Sequence, residues 1–224
     1  MIDAVAGPRL VDLSHEIGEG LVTYPGIPAP VLSAVLSREA SRERYAPGTE
    51  FLIGRIELAG NTGTYLDTPF HRYADGFDLA DLALERVAGL PIVHVEATDT
   101  RIVRPEAFEG LDLAGRAVLL HTGWSRHFGT PAYARDHPHL VPEAVPILVA
   151  GRAGLVGIDS LNIDPTATGD RPAHSGLLAA GIPIVEHLAH LEALHGAATA
   201  RFFAVPPRIR GFGTFPVRAF AIID

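Results

Sequence analysis

The apolar residues of this chain come in short runs, each closed by glycine, proline or a polar turn. LPIVHVEA (90–97), RAVLLHTGW (116–124) and GLVGIDSLNID (154–164) are short, apolar and bounded by turn formers, and they read as strands. FLIGRIEL (51–58) alternates and reads as a strand that runs straight into a glycine-rich polar stretch. Helical segments lie between the strands. VPEAVPILVAGRA (141–153) repeats its apolar residues near a 3.6 spacing, with Gly151 or Gly154 to stop it. AHSGLLAAG (173–181) reads as a short helix or turn. IPIVEHLAHLEALHG (182–196) begins as a strand or turn and continues as a helix ending at Gly196. RLVDLSHEI (9–17) reads as the first strand, and RFFAVPPRI (201–209) and FPVRAFAII (215–223) as closing strands. Interleaving of this kind predicts a mixed α/β fold, with antiparallel pairs towards the end. The 224 residues suit a single domain spanning 1–224. GEGLVTYPGIPAPVL, from residue 18, is a Gly/Pro-punctuated loop and predicts an N-terminal arm at about 18–35.

Composition removes several classes of function. No apolar run reaches the about 18 residues of a membrane span, and the first residues show no leader pattern. There is no cysteine, so thiolate chemistry and disulfides are excluded, and the expected compartment is the cytoplasm. The formal charge is −8, which disfavours nucleic acid as a partner. All 18 basic residues are arginine. Without lysine, Schiff-base and P-loop chemistry are unavailable.

Three stretches can carry chemistry. In GNTGTYLDTPFHRYADG (60–76), Asp67 and His71 are four residues apart, and Pro69 between them argues against one helical face. The stretch builds either a polar pocket or a capped turn. In PAHSGLLAAGIPIVEHLAHL (172–191), Glu186 follows the apolar IPIV and is expected to be buried, which demands a partner or a metal. His174 precedes it, as a ligand or a helix cap, while His187 and His190 read as a solvated helical face. In LLHTGW (119–124), His121 and Trp124 end a strand and can line a pocket or merely anchor it. GFGTFP (211–216) lacks the third glycine and the following helix of a nucleotide loop.

These segments together resemble the cyclase family that includes bacterial kynurenine formamidases and isatin hydrolases. The hallmark of that family is His-x-Gly-Thr-His-x-Asp-x-Pro-x-His. The same frame here runs from Asn61 to His71, with Gly63, Thr64, Asp67, Pro69 and His71 matching and Asn61 and Tyr65 replacing the two leading histidines. VDLSHEI, LLHTGW, VGIDSLNID, AHSGLLAAGIPIVEHL and PVRAFAI follow in the family's order. The resemblance implies a swivelling β/β/α-type fold with a barrel-like mixed β-sheet flanked by helices. It also implies a homodimer or homotetramer with exchanged N-terminal arms. Carried over, it makes Asp67, His174 and Glu186 the metal ligands and His71 the acid/base.

The replacements bear on mechanism. Asn61 offers only an amide oxygen, and Tyr65 would have to ionise to ligate. A single Zn²⁺, Mn²⁺ or Mg²⁺ on Asp67, His174 and Glu186 is the expectation, or no metal at all. Three readings follow. One is a metal-dependent hydrolase of a C–N bond in a small amide, formamide or lactam. In it His71 is the base, Tyr65 donates to the substrate, and Asn61, Thr64 and Trp124 contact it. The second is a metal-free acid/base lyase or isomerase. The third is a non-catalytic binder of small molecules.

Overall fold

The computed structural model describes residues 7–224. The first six residues, part of the stretch read for a leader, lie outside the described residues. Nine strands form one sheet: β1 (Arg9–Asp12), β4 (Tyr65–Asp67), β5 (Ala88–Glu96), β7 (Ala117–His121), β9 (Leu155–Ile158), β10 (Ile184–Glu186), β11 (Ala200–Phe203), β12 (Thr214–Pro216) and β13 (Phe220–Ile223). Their order is β1-β13-β11-β5-β7-β9-β10-β4-β12, and the sheet curls into a half-barrel. The centre, β5-β7-β9-β10, is parallel, and the flanks are antiparallel. The fold is therefore mixed α/β, as the interleaving predicts. A separate two-stranded ribbon pairs β2 (Val31–Leu36) with β3 (Ile53–Glu57), and two-residue strands β6 (Ile102–Val103) and β8 (His139–Leu140) pair alongside.

The central strands show why continuous apolar runs were needed. All five residues of β7 are buried. Ala117 and Leu119 face one core, with Leu13, Leu66, Val185 and Phe202. Val118 and Leu120 face the other, with Val156, Leu148 and Leu177. A strand buried on both faces alternates between two interiors rather than between core and water. Each buried leucine contributes roughly 1.5–3 kcal/mol. The second core is covered by α2 (Val145–Ala150) and α3 (Pro172–Ala179). A one-turn helix, α1 (Arg38–Ser41), interrupts the β2–β3 ribbon.

Two expectations are corrected. The stretch 182–196 is not strand-then-α-helix. After β10 the chain passes through His187 and His190, both in the left-handed region at φ 56°, and only Leu191–Leu194 forms a single 3-10 turn. Left-handed backbone at two non-glycine residues ends any helical repeat. His187 is accordingly fully buried rather than solvated, and its Nδ1 pairs with the Tyr133 hydroxyl at 2.9 Å. The closing stretch 215–223 is split between β12 and β13 instead of forming one strand. Of the expected arm at about 18–35, residues 18–30 are irregular and the remainder enters β2, whose ribbon with β3 ends at Glu57. No helix among the described residues is long and apolar enough to cross a membrane.

Candidate active site

Three short strands build the floor of the site by alternation. In β4, β10 and β12 the middle residues Leu66, Val185 and Phe215 turn to one core. The odd positions therefore turn to the opposite face. There the register sets Tyr65 opposite Glu186, and Thr214 opposite Asp67. Four polar side chains from distant parts of the chain meet in this way because the side-chain period of a strand is two.

Each carboxylate is held. Tyr65 donates its hydroxyl proton to Glu186 Oε2 at 2.6 Å, and the backbone N–H of Ile163 donates to Oε1 at 2.6 Å. Asn162 Nδ2 approaches Oε2 at 3.4 Å. Thr214 Oγ1 donates to Asp67 Oδ1. Asp67 Oδ2 is buried and makes no hydrogen bond. It faces His174 Nε2 at 3.6 Å, and the same nitrogen lies 3.7 Å from Glu186 Oε1.

His174 comes from the first turn of α3. Asp164 accepts the backbone N–H groups of Ala173 and His174 at 2.6 and 3.0 Å, and takes His174 Nδ1–H at 2.7 Å. One carboxylate thus caps the helix and orients the ring, leaving Nε2 free to meet Asp67 and Glu186.

His71 arrives by a different route. Pro69 opens a 3-10 turn over Pro69–His71, which brings the ring back over β12. His71 Nδ1 lies 2.7 Å from Thr214 Oγ1. Thr214 has a single proton, already given to Asp67, so it accepts here. His71 therefore carries its proton on Nδ1, and Nε2 is left as the basic nitrogen. Gly213 makes the approach possible, because a Cβ there would collide with the backbone N of His71. The GFGTFP stretch is thus the close-packing strand end beside the histidine. Gly63, at φ 64°, has a similar duty, since a Cβ there would meet Ile17.

Burial perturbs the protonation of these groups. It pushes Glu186 up to about 7, helped by nearby Asp67 and opposed by His174. For His174, burial disfavours the charged ring, but Glu186, then Asp164 and Asp67, outweigh it and raise the imidazole well above its usual range. Burial also works against the Asp67 anion, yet His174, His71 and Thr214 hold Asp67 low. Burial, then Glu186 and Asp67, keep Tyr65 protonated far above its usual range. Tyr65 is therefore a donor to Glu186 and does not ligate as a phenolate.

The floor opens into a cavity of about 720 Å³, within the range of small-molecule sites. Asn61, Tyr65, His71, His174 and Glu186 line it, with Arg72 and Arg171 on its wall. Two residues expected at the substrate lie elsewhere. Thr64 Oγ1 donates to the carbonyl of His187 and accepts from the backbone N–H of His15, so it is a buried strut. Trp124 follows Gly123, at φ 66°, and is turned into a cluster with Tyr133 and Leu161, its Nε1–H donating to the Tyr133 carbonyl. The role given to Tyr65 also changes, because its only proton goes to Glu186 rather than into the cavity. Sequence reasoning missed Thr214, Asp164 and Asn162. Asp164 and Asn162 lie in the quoted LNID stretch, whereas Thr214 had no local signal.

The site fits a divalent cation. An orphaned buried carboxylate oxygen of Asp67, the oriented ring of His174 and the ring of His71 have ligand atoms within 4.8 Å of one another, and Glu186 Oε1 stands outside that group but 3.7 Å from His174 Nε2. Comparisons with known proteins agree on the lineage. The profile of the family described as "Putative cyclase" matches residues 11–165. The kynurenine formamidase of Bacillus cereus is 26% identical over 210 residues, 93% of this chain and 95% of its own. That of Salinibacter ruber is 28% identical over 211 residues, covering 94% and 95%. An isatin hydrolase bound to the product analogue thioisatinate superposes with a TM-score of 0.80 at 21% identity, over 96% of this chain and 92% of that one. A structure described as a potential metal-dependent hydrolase with cyclase activity gives 0.77 at 23% identity, over 97% and 98%. These superpositions show a shared fold. With the profile matching more than half of its length, this chain belongs to the cyclase family.

Proposed function

We propose that the protein is a metal-dependent hydrolase that uses water to cleave the C–N bond of a small amide, formamide or lactam. The observation that carries this reading is Asp67 Oδ2, buried without a hydrogen bond beside the cavity-lining His174, whose Nε2 lies 3.6 Å from it and 3.7 Å from Glu186 Oε1. A buried anionic oxygen costs several kcal/mol unless a cation compensates it; protonated His174 does so in the absence of an ion, and a bound metal would take the place of that proton. Asp67, His174 and Glu186 would hold one divalent ion. Two carboxylates and one imidazole make a hard set, suited to Mn²⁺ or Mg²⁺ as well as Zn²⁺. When bound, the ion supplies the Lewis acidity that acidifies water and polarises a carbonyl.

The chain's own residues do the rest. His71 Nε2 takes a proton from the attacking water as the C–O bond forms, and returns it to the nitrogen as the C–N bond breaks. The His71–Thr214–Asp67 chain holds the ring in the tautomer this requires. Tyr65 and the Ile163 amide fix Glu186. Arg72 and Arg171 give the wall positive charge, which suits the carboxylate that amide hydrolysis releases. The names of the relatives, kynurenine formamidase and isatin hydrolase, support an aryl formamide or a fused lactam as the substrate class.

The test is turnover on N-formylkynurenine, simple aryl formamides and isatin. It is measured before chelation, after it, and after return of Mn²⁺ or Zn²⁺, with elemental analysis of each sample. Turnover that survives complete removal of metal would transfer the site to metal-free acid/base chemistry. Metal uptake without turnover on any of these substrates would leave a binding protein.

The same reading extends to assembly. In the β2–β3 ribbon Val31, Leu32, Val35, Ile53 and Ile56 are all exposed, and Phe51 and Leu52 continue the patch. A ribbon with this much apolar surface is poorly suited to water, and a second copy of the chain would cover it in a dimer or larger assembly with exchanged arms. A stable monomer at micromolar concentration by light scattering would refute this.

A further inference from the structure

A second group of histidines and a carboxylate stands away from the cavity. His94 and Glu96 are two residues apart on β5, so they share a face. The parallel register places Glu96 beside His121 of β7, on that same face. The 3-10 turn over Leu191–Leu194 then delivers His195 from its C-terminal end. β9 and β10 separate these strands from β4, and none of the four residues lines the cavity of the first site.

The spacing is that of ligands around a shared ion. Glu96 Oε2 lies 3.3 Å from His121 Nδ1 and 3.4 Å from His195 Nδ1. At metal–ligand lengths of about 2.0–2.2 Å, tetrahedral ligand atoms stand about 3.3–3.6 Å apart. A ring nitrogen of His94 lies within 4.8 Å of ligand atoms of Glu96 and His121, while His195 stands outside this mutually close group and meets it at Glu96. Its ring is near-parallel to His121 at 5.2 Å and perpendicular to His195 at 6.3 Å. His94 Nε2 is buried and has no hydrogen-bond partner. The other oxygen of Glu96 accepts from Thr98 Oγ1 at 2.8 Å, the kind of outer contact that orients a ligating carboxylate. Glu96 Oε2 hydrogen-bonds His121 Nδ1, and around that pair stand two further imidazoles, one with a buried ring nitrogen that has no partner. The outer side is open, with the His195 side chain 76% and that of Glu96 45% exposed, so an ion has a path in.

We propose that His94, Glu96 and His121 form a second metal site, completed by the exposed His195 turning in as a fourth ligand, for a late first-row divalent ion of the Zn²⁺ or Ni²⁺ kind. Three imidazoles and one carboxylate form a set that favours these ions over Mg²⁺ or Ca²⁺. Bound there, the ion would tie β5, β7 and the 191–195 turn together without entering the hydrolytic site.

Untagged protein stripped of metal and titrated with Zn²⁺ by calorimetry tests this. A D67A/H174A variant, which lacks the first site, is expected to retain one equivalent. Adding H94A or H195A should weaken that equivalent by more than the about 10–100-fold typical of losing an outer-sphere partner. Co²⁺ in place of Zn²⁺ should show the intense visible bands of a tetrahedral ion, lost with the same changes. Should D67A/H174A fail to fold, the wild type is compared with H195A, an exposed position whose removal leaves the core intact. Total uptake should then fall by one equivalent, with turnover unchanged. The proposal is overturned if D67A/H174A binds no ion, if H94A and H195A both leave its affinity unaltered, or if wild type and H195A take up the same number of equivalents.

Discussion

The two clusters of histidine and carboxylate stand on one sheet and differ in what surrounds them. Around β4, β10 and β12, Asp67 and Glu186 have no solvent exposure, and every carboxylate oxygen except Asp67 Oδ2 has a fixed donor. Around β5 and β7, Glu96 and His195 reach solvent. Water reaches the open cluster at Glu96 and His195, while His121 and His94 Nε2 are buried and desolvation lowers the His94 imidazole pKa. In the closed one, charge has to be balanced by protons or by a cation, and the burial that pushes Glu186 up to about 7 expresses that demand. Perturbed protonation beside a cavity is where chemistry is to be expected. The comparison therefore teaches that similar residue types demand internal charge balance when sealed beside a pocket and have a route to solvent when left at the rim.

The sharpest break of the comparison is at His71. His71→Gln removes the basic Nε2 while keeping a donor for Thr214. Turnover is expected to fall about 10²–10⁴-fold, as for loss of a general base, with the metal content of the closed site retained. His195→Ala at the open cluster is expected to leave turnover unchanged. Equal effects of the two substitutions on kcat would erase the distinction drawn here.

Next in size is Asp164, which both caps α3 and orients His174. Asp164→Asn keeps the shape and weakens the hold on the ring. Metal affinity of the closed site is expected to drop about 10–100-fold. Calorimetry on stripped protein reads this directly, and an unchanged affinity would show that His174 is oriented by packing alone.

How much of this could be read in advance depended on distance along the chain. Asp67, His71, His174 and Glu186 lie in motifs whose order and spacing are local, whereas the alternation in YLD and IVE that turns Asp67 and Glu186 to one face becomes visible only in the strand register. Thr214 was not readable, because its pairing with Asp67 is set by a strand register across 147 positions. Its neighbour Gly213 suggested a failed nucleotide loop, whereas its real duty is steric and becomes visible only beside His71. His187 misled for a related reason. An apolar repeat over 182–196 suggests a helix, but nothing in it announces left-handed backbone at His187 and His190. Trp124 was placed at the pocket by its position at a strand end, and the turn at Gly123 sends it the other way.

A third prediction concerns pH. Below about 7 the closed cluster carries a proton on the Glu186–His174 pair that a cation must displace. His174 still holds its proton above 7, so metal affinity there should rise with pH by about tenfold per unit for each displaced proton, and less steeply above about 7 than below it. The open cluster contains no carboxylate raised by burial, since Glu96 is held low, and its curve is expected to lack the contribution of Glu186 near 7. Zn²⁺ titrations of H195A and of D67A/H174A across pH 5.5–8.5, roughly the range in which such groups titrate, separate the two curves. Coincident curves would mean that burial does not set the protonation of the first site.

The smallest expected effect is at Tyr65, and it decides what that residue is for. Its hydroxyl donates to Glu186 Oε2, and the hydrogen bond holds the carboxylate's pKa below where burial alone would leave it. Tyr65→Phe removes that donor and leaves only the long contact from Asn162 on the same oxygen. Glu186 should then keep its proton to higher pH. A hydrogen bond with a net worth of about 0.5–1.5 kcal/mol corresponds to an upward shift of up to about one pH unit. The midpoint of metal uptake is expected to move up by that amount, with turnover at pH 7 falling tenfold or less and recovering at pH 8. That recovery is the signature of a positioning residue. If turnover instead falls far more than metal uptake does, and raising the pH restores nothing, Tyr65 acts on the substrate itself. The proton it shows to Glu186 would then have to turn into the cavity when the substrate binds.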